Sequence, residues 1–372
     1  MDSRPRSPGG APSSRTSEPR AHYMPLSTPN IARIAALAGG LAMGAPCGAE
    51  EASFFASKSI QLVVGFDVGG GYDLYARTVA RHWSRHIPGN PTFIPQNMPG
   101  AGTRTAANWL YNAAPKDGTA VGTIVQSTPV DQALGEPGIR FDAAKFHWLG
   151  NPIVDNLVTL SWAASGLATI EDVKTKGGLF CGSTGAGPTT VFPRVINQLL
   201  GTQIKVVAGY PGQAQVNIAM ERGEVNCIGG TTWSSVKATM RPMLDARKLN
   251  MLVQWGASKD AEISAYARRE VPLIQEFGQT DLDKRVLVFI GSGAAFGRPL
   301  LAPPAVPPDR VEVLRRGFDR TMTDPEFLAE AAKLNMDIKP LSGEELQKIA
   351  VDVVQARPGD LARAKELIGA PR

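Results

Sequence analysis

Cysteine and histidine are scarce in this chain: three cysteines and four histidines in 372 residues. With Cys47 near the N terminus set aside, Cys181 and Cys227 remain, and neither has a histidine nearby, so no zinc-site spacing exists. His82 and His86 lie four apart on one helical face, but Arg81 and Arg85 interleave with them and repel a cation. A solvated basic face is the expectation there. So few histidines leave little for base catalysis, and no serine nucleophile elbow occurs. After residue 50 nothing is long and apolar enough to span a bilayer. No cluster of Lys and Arg with interleaved aromatics occurs either, which removes a nucleic-acid footprint. What is present is an ordinary globular balance, 43% apolar and 20% charged, in a chain long enough for two domains.

The first 49 residues differ in kind. A polar, Pro- and Ser-rich leader runs to Tyr23, then Arg33 precedes the short apolar run IAALAGGLAMGA, and Cys47, Gly48 and Ala49 offer a small-residue cleavage site. This reads as a secretory signal peptide starting at Met1 or at Met24. It lacks the paired arginines of the folded-protein export route, and Cys47, after Pro46, stands in a poor lipoprotein context. Cleavage after Ala49 removes Arg4, Arg6, Arg15, Arg20 and Arg33 with Asp2 and Glu18, a net +3, and takes the formal charge from +5 to +2. The remaining chain is expected in the periplasm.

The rest is organised around IQLVVGFDVGGGYDLYAR, Ile60 to Arg77. Ile60, Leu62, Val63 and Val64 form a strand-like run and Gly69, Gly70 and Gly71 break it. Tyr75, Val79, Trp83 and Ile87 then recur every four residues as on a helix. Glycines let the backbone turn tightly, and the free N–H groups of a helix start favour an anion. The device recurs at Asn97–Gly102, where a helix with Ala106, Ala107, Trp109 and Leu110 follows, and again at Gly182–Thr190, followed by Val191, Val195, Ile196 and Leu199. A fourth copy lies in IKVVAGYPGQAQVNIAM. Repeated strand–glycine–helix turns imply open parallel α/β sheets whose strand ends converge on a cleft.

Between these units VGTIVQ predicts a strand ending at Gln126, Ser127 and Thr128. FHWLGNPIVDNLVTLSWA predicts two short strands crossing between domains. Further on, VLVFIGS predicts a strand, a Pro-rich turn follows, and a helix carries Val311, Leu314 and Phe318. SGEEL at Ser342 opens a capped helix in a tail expected to pack back on the first domain. Cys181 and Cys227 fall at the ends of neighbouring parallel strands. A disulfide is open to them, but such strands seldom present bridging geometry, so two buried thiols are the expectation.

Taken in order, IQLVVGFDVGGGYDLYAR, NMPGAGTRTAANWLY, PKDGTAVGTI, GSTGAGPTT, AGYPGQAQ and GEVN resemble the extracytoplasmic solute-binding receptors of tripartite tricarboxylate transporters, the Bug or TctC-like family, over Ser57 to Ile368. The resemblance implies a two-lobed α/β periplasmic-binding fold of type II, closing like a flytrap. Lobe 1 spans 57–158, lobe 2 spans 159–284, and 285–372 returns to lobe 1. It implies a monomeric receptor, not an enzyme, with no cofactor or metal. Its ligand is a small di- or tricarboxylic, aromatic or amino acid, passed to TctA/TctB-like membrane subunits. Carried over by position, the site consists of Gly70, Gly71, Tyr72, Asp73, Ala101, Gly102, Ser127 and Thr128 from lobe 1. Lobe 2 contributes Gly185, Gly187, Thr189, Thr190, Tyr210, Gly212 and Trp233. Pro188 departs from the family's Ser and donates no N–H. Asp73 binds a ligand amine or caps its helix, with both readings open, and Trp233 offers a stacking wall. A ligand-sensing role for a membrane sensor kinase is the alternative. An α/β enzyme is the distant one, since FDVGGGYD has neither P-loop nor dinucleotide spacing.

Overall fold

The computed structural model describes residues 54–183, 187–210 and 213–369, all within one compact unit, Pro46–Arg372. The leader and signal segment expected over 1–49 lies outside the described residues, as do Gly185 and Gly212.

The first glycine turn forms as its residue order dictates. β1 (Ser59–Val64) leads through Gly69 and Gly70 into α1 (Gly71–Trp83). Tyr75, Val79 and Trp83, with Ile87 just beyond, are all buried to within 5%, an apolar stripe at helical spacing. β2 (Thr92–Asn97) and α2 (Arg104–Asn112) repeat the unit, and β3 (Ala120–Thr123) leads into α3 (Thr128–Leu134). β4 (His147–Asn151) ends this half, and β5 (Leu157–Trp162) opens the next. The chain therefore passes from the first sheet to the second between Asn151 and Leu157. There follow β6 (Phe180–Ser183), α4 (Pro188–Leu200), β7 (Lys205–Ala208), α5 (Gln213–Glu221), β8 (Cys227–Thr232), α6 (Trp233–Thr239) and β9 (Leu249–Trp255).

Among the described residues two sheets result. With β10 at Leu300–Ala302 and β11 at Leu341–Ser342, the first has the order β11-β4-β10-β3-β1-β2 and the second β7-β6-β8-β5-β9. The glycine-turn strands pair in parallel, β1 with β2 and β3, and β6 with β7 and β8. The crossing strands enter antiparallel, β5 between β8 and β9 and β10 (Leu300–Ala302) between β3 and β4.

Three expectations about the tail elements and the cysteines need correction. VLVFIGS lies not in a strand but in a helix, α7 (Asp281–Gly291), capped by Thr280, whose hydroxyl accepts the Asp283 N–H. A short apolar run has no period of its own, and the cap and acidic first turn decide for helix. The tail divides: α8 (Pro308–Met322), α9 (Pro325–Lys333), β11 (Leu341–Ser342) and α10 (Gly343–Val354) serve the first sheet, with the expected Ser342–Glu345 capping box. The last helix, α11 (Pro358–Ile368), instead packs on α7 and α4 of the second half, where Ala364 and Leu367 join its core. Finally, Cys181 and Cys227 are disulfide-bonded. Their strands place them directly opposite each other, with Cα atoms 4.2 Å apart, so the register supplies the proximity that parallel neighbours seldom offer.

His82 and His86 do not form a solvated face. His82 is 8% exposed and pairs with Glu330, while His86 pairs with Asp324 at 2.7 Å. Arg81 and Arg85 reach Glu330, Asp324 and Glu326, so α1 is clamped to α9 by an ion network. The two crossing segments are joined as well. Asp155 N–H donates to Ala294 O at 3.0 Å. The Asn151 amide donates to Ala295 O at 2.8 Å and accepts the Arg298 N–H at 2.9 Å.

Candidate functional site

A buried arginine touches residues of both halves. Arg298 precedes β10 and is 4% exposed. Its guanidinium lies 4.4 Å from the centre of the Tyr72 ring and 5.7 Å from that of Tyr75, both on α1. A Cβ on Gly71 would come 3.4 Å from Nη2, an ordinary contact. From the second half Nη2 meets the hydroxyls of Ser235 at 3.2 Å and of Thr232 and Ser234 at 3.4 Å. These are long contacts, and Nε is buried with no hydrogen-bond partner. Asp155 faces the same cluster and accepts the Ser234 N–H at 3.1 Å as well as its hydroxyl. Burial raises the Asp155 pKa against the opposing pull of Arg298 and Ser234.

Tyr72 links this arginine to a cavity. Its ring stacks on Phe66 at 3.9 Å, and its hydroxyl oxygen accepts the Gln126 N–H at 3.2 Å. Burial lifts the phenol above its ordinary pKa in spite of Arg298, so it is neutral at any physiological pH. The cavity runs from Gln126, Ser127, Val130 and Asp131 of the first half to Gly187, Pro188 and Phe192 of the second. It offers about 40 Å³ to centres of water-sized molecules, on a scale where one water needs roughly 10–15 Å³. Asp131 Oδ2 accepts the Ser127 hydroxyl at 3.1 Å, and burial pushes its carboxyl up to about 6.

The expected residues divide into those that face this region and those committed elsewhere. Gly70 is the N-cap of α1 and Gly71 its first residue, both exposed. Ala101 and Gly102 hold left-handed conformations with φ of 47° and 62°, and Gly102 shares a crevice with Arg104, Thr128 and Asp131. Ser127 and Gly187 line the cavity from opposite halves. Asp73, by contrast, is not the N-cap and its carboxylate is engaged within its own half. Gly70 holds the cap position, and the Asp73 carboxylate accepts from Gly69 N–H at 3.0 Å, Arg77 Nε at 2.8 Å and Asn97 Nδ2 at 2.9 Å. It ties the glycine loop to the end of β2. Thr128 donates its hydroxyl to Val125 O at 2.7 Å. Thr189 and Thr190 bond the Ser183 hydroxyl inside their own loop. Tyr210 packs over Gly182. Trp233 is no stacking wall: it is 3% exposed in the second-half core beside Tyr266, with Lys237 over its ring.

Sequence reasoning missed Arg298, Gln126 and Asp131. Arg298 had a signal, being the sole charged residue between Arg285 and Asp309. A lone charge in so apolar a stretch needs a partner.

No family model matches the chain. A UPF0065 protein from the gbd 5′ region of Cupriavidus necator is 26% identical over 341 residues, 87% of this chain and 93% of that protein. Among solved structures, a TctC solute-binding protein from Polaromonas aligns with a TM-score of 0.59 at 19% identity, covering 84% of this chain and 98% of its own. The periplasmic binding protein BugD gives 0.60 at 16%, over 83% and 97%. This is the fold of the TctC and Bug solute-binding proteins. The resemblance read from the motifs therefore extends across the architecture of both lobes, as the sheets can now be called. A Rhodopseudomonas palustris protein solved with adipate aligns at 0.61 and 18%, over 84% and 97%. These neighbours are binding proteins and not enzymes.

Proposed function

We propose that this chain is a member of the TctC/Bug family and an extracytoplasmic receptor that closes its two lobes on a small carboxylate for delivery to TctA/TctB-like transporter subunits. The observation that carries the reading is Arg298. It is a buried guanidinium whose Nη1 donates to Gly297 O at 3.3 Å and whose Nη2 meets three hydroxyls at 3.2–3.4 Å, with the buried Asp155 carboxyl in the same cluster and Nε left without a partner. The free Nε gains most from an anion, since charge-assisted bonds to a carboxylate are short and strong. Gly71, Tyr72, Ser127 and Gly187 then surround the ligand, with backbone N–H groups of the glycine turns as further donors. Each lobe alone supplies half of these contacts, so ligand favours the closed arrangement. Adipate and malate in two structural neighbours accord with a carboxylate class.

The test is a thermal-shift screen of purified protein, stripped of carried ligand, against mono-, di- and tricarboxylates, aromatic acids and amino acids. A ligand at a hundred times its dissociation constant stabilises the native state by about 2.7 kcal/mol. Arg298→Met should abolish the shift while leaving the circular-dichroism spectrum intact. Hits only among sugars or nucleotides, or carboxylate binding unaffected by Arg298→Met, would refute the reading. Delivery is tested by uptake of the hit in cells lacking this gene, where only the wild-type copy should restore it.

A further inference from the structure

The C-terminal helix ties one lobe to the other. α10 belongs to lobe 1, where it packs on β4 and α3, and α11 belongs to lobe 2, where it packs on α4 and α7. Three residues, 355–357, join the two helices. They are wound rather than drawn out, since the Gln355 N–H donates to Val351 O at 2.9 Å and the Leu361 N–H to Arg357 O at 3.0 Å. Even fully extended, the stretch from Val354 to Pro358 spans only about 14 Å. The hold of α11 on lobe 2 is buried. Arg363 Nε donates to Asp283 Oδ1 at 2.8 Å, with the Asp283 side chain 7% exposed, and Asp360 pairs with Arg285 at 3.2 Å. Burial disfavours the Asp283 charge, but Arg363 and Thr280 outweigh it and hold the pKa below its ordinary value. The hold on lobe 1 is thinner. Lys365 stands at the end of α3, where a Cβ on Gly135 would come 4.0 Å from its Nζ, and Ile368 and Leu134 line the same cavity. Lobes that part therefore carry α11 with lobe 2 and strip it from α3. Parting also opens an apolar cluster in which Val130 of α3 and Val353 of α10 join Phe192, Ile290 and Leu367 of the other lobe, and water opposes that.

We propose that α11 is a strap that holds the lobes together before any solute arrives: it is anchored on lobe 2, tethered to lobe 1 by 355–357, and released from α3 as the cleft opens. A solute then adds to a closed bias already built into the chain instead of supplying all of it. α3 passes the strap's hold to the cavity, because its N-cap, Ser127, lines that cavity while its other end lies against α11. The strap rests on the two-lobed fold and not on the class of solute.

Thiol labelling of the ligand-free protein tests this. Val130 is 6% exposed and lines the cavity from α3; in a Cys47→Ser chain, the rate at which Val130→Cys reacts with a small disulfide reagent reads how often the lobes part. Val236→Cys is the control, since Val236 is 0% exposed on α6 in a separate apolar cluster. Inserting Gly-Ser-Gly-Ser after Ala356 lengthens the tether and leaves both contact surfaces unchanged, while Arg363→Met loosens the anchor. Either change should speed labelling at position 130 at least tenfold and leave that at 236 as it was. An unchanged rate at 130 in the lengthened chain would overturn the strap. Equal rises at 130 and 236 would overturn it too, as general loosening of the fold. Small-angle scattering gives an independent reading: the radius of gyration should rise in the lengthened chain, and faster labelling at an unchanged radius would assign the effect to fraying of α11 and refute the strap. All of these readings are made without solute, so their failure leaves the receptor reading to its own test.

Discussion

Breaking the Cys181–Cys227 bond tests whether the second lobe depends on it. The cysteines are 46 residues apart in sequence and both are 0% exposed. Releasing a loop of that length returns about 13–14 cal/mol/K of entropy to the unfolded chain, or about 4 kcal/mol at 25 °C. The assay is urea unfolding of the same preparation, oxidised or reduced and refolded in TCEP, so that side-chain volumes stay the same. With a slope of about 3 kcal/mol/M the midpoint should fall by about 1.3 M. Because the bond lies in the second sheet, a biphasic curve should shift in one phase only. Two thiols that alkylate in denaturant without reductant would refute the bond itself. An intact bond with coincident midpoints would refute the loop-entropy reasoning.

Gly297→Ala should be among the costliest substitutions. Gly297 has φ of 41° and a Cβ there would fall 1.9 Å from Ile153 O, so a loss of at least about 3 kcal/mol is expected by denaturation; a loss below 1 kcal/mol refutes the packing argument. Asp131→Asn should stabilise the ligand-free protein. The fold raises this carboxyl from its ordinary 3.8 to about 6, so the native state binds the extra proton between those values and stability falls as pH rises through them. The variant should gain about 1–2 kcal/mol at pH 8 and nothing at pH 4, and a destabilised variant at pH 8 contradicts the assignment. Asp73 works in the opposite direction. Burial disfavours its charge, but the Gly69 N–H, the Asn97 amide and Arg77 outweigh it and hold the pKa below its ordinary value. Its contribution is present above about pH 4 and is lost as pH falls through the lower folded value. Asp73→Ala should cost about 2–3 kcal/mol at pH 7, a penalty that shrinks in acid, and equal penalties at pH 7 and pH 3 would count against it.

The alternation of strand, glycine and helix was legible because it is local. Gly69 to Gly71 break one period and Tyr75, Val79 and Trp83 begin another within a few residues, and these elements formed where they were expected. VLVFIGS was not legible, since an apolar run carries no period and its helical cap lies upstream at Thr280. The destination of α11 depends on which lobe has an apolar face to spare, a property of the assembled halves. The site was half legible for the same reason. The loops announced themselves through glycine, and Ser127 and Gly187 line one cavity. Whether a hydroxyl or carboxylate remains available depends on neighbours far away in sequence, such as Asn97 for Asp73 and Ser183 for Thr190. Arg298 was hidden because its partners come from α1 and from the start of α6.

The two passages between the lobes, 152–156 and 292–299, are fastened to each other by the Asp155 N–H to Ala294 bond and by both ends of the Asn151 amide. The second passage holds a helical turn, Gly293–Phe296, so the contact joins a short helix to an extended segment, and sliding one along the other breaks those bonds. The segment before β11 adds to this fastening, since Lys339 O accepts the Val154 N–H at 2.8 Å and Asp337 with Lys237 and Lys339 with Asp260 form ion pairs to the second half, so the two halves are held at several points beside Arg298.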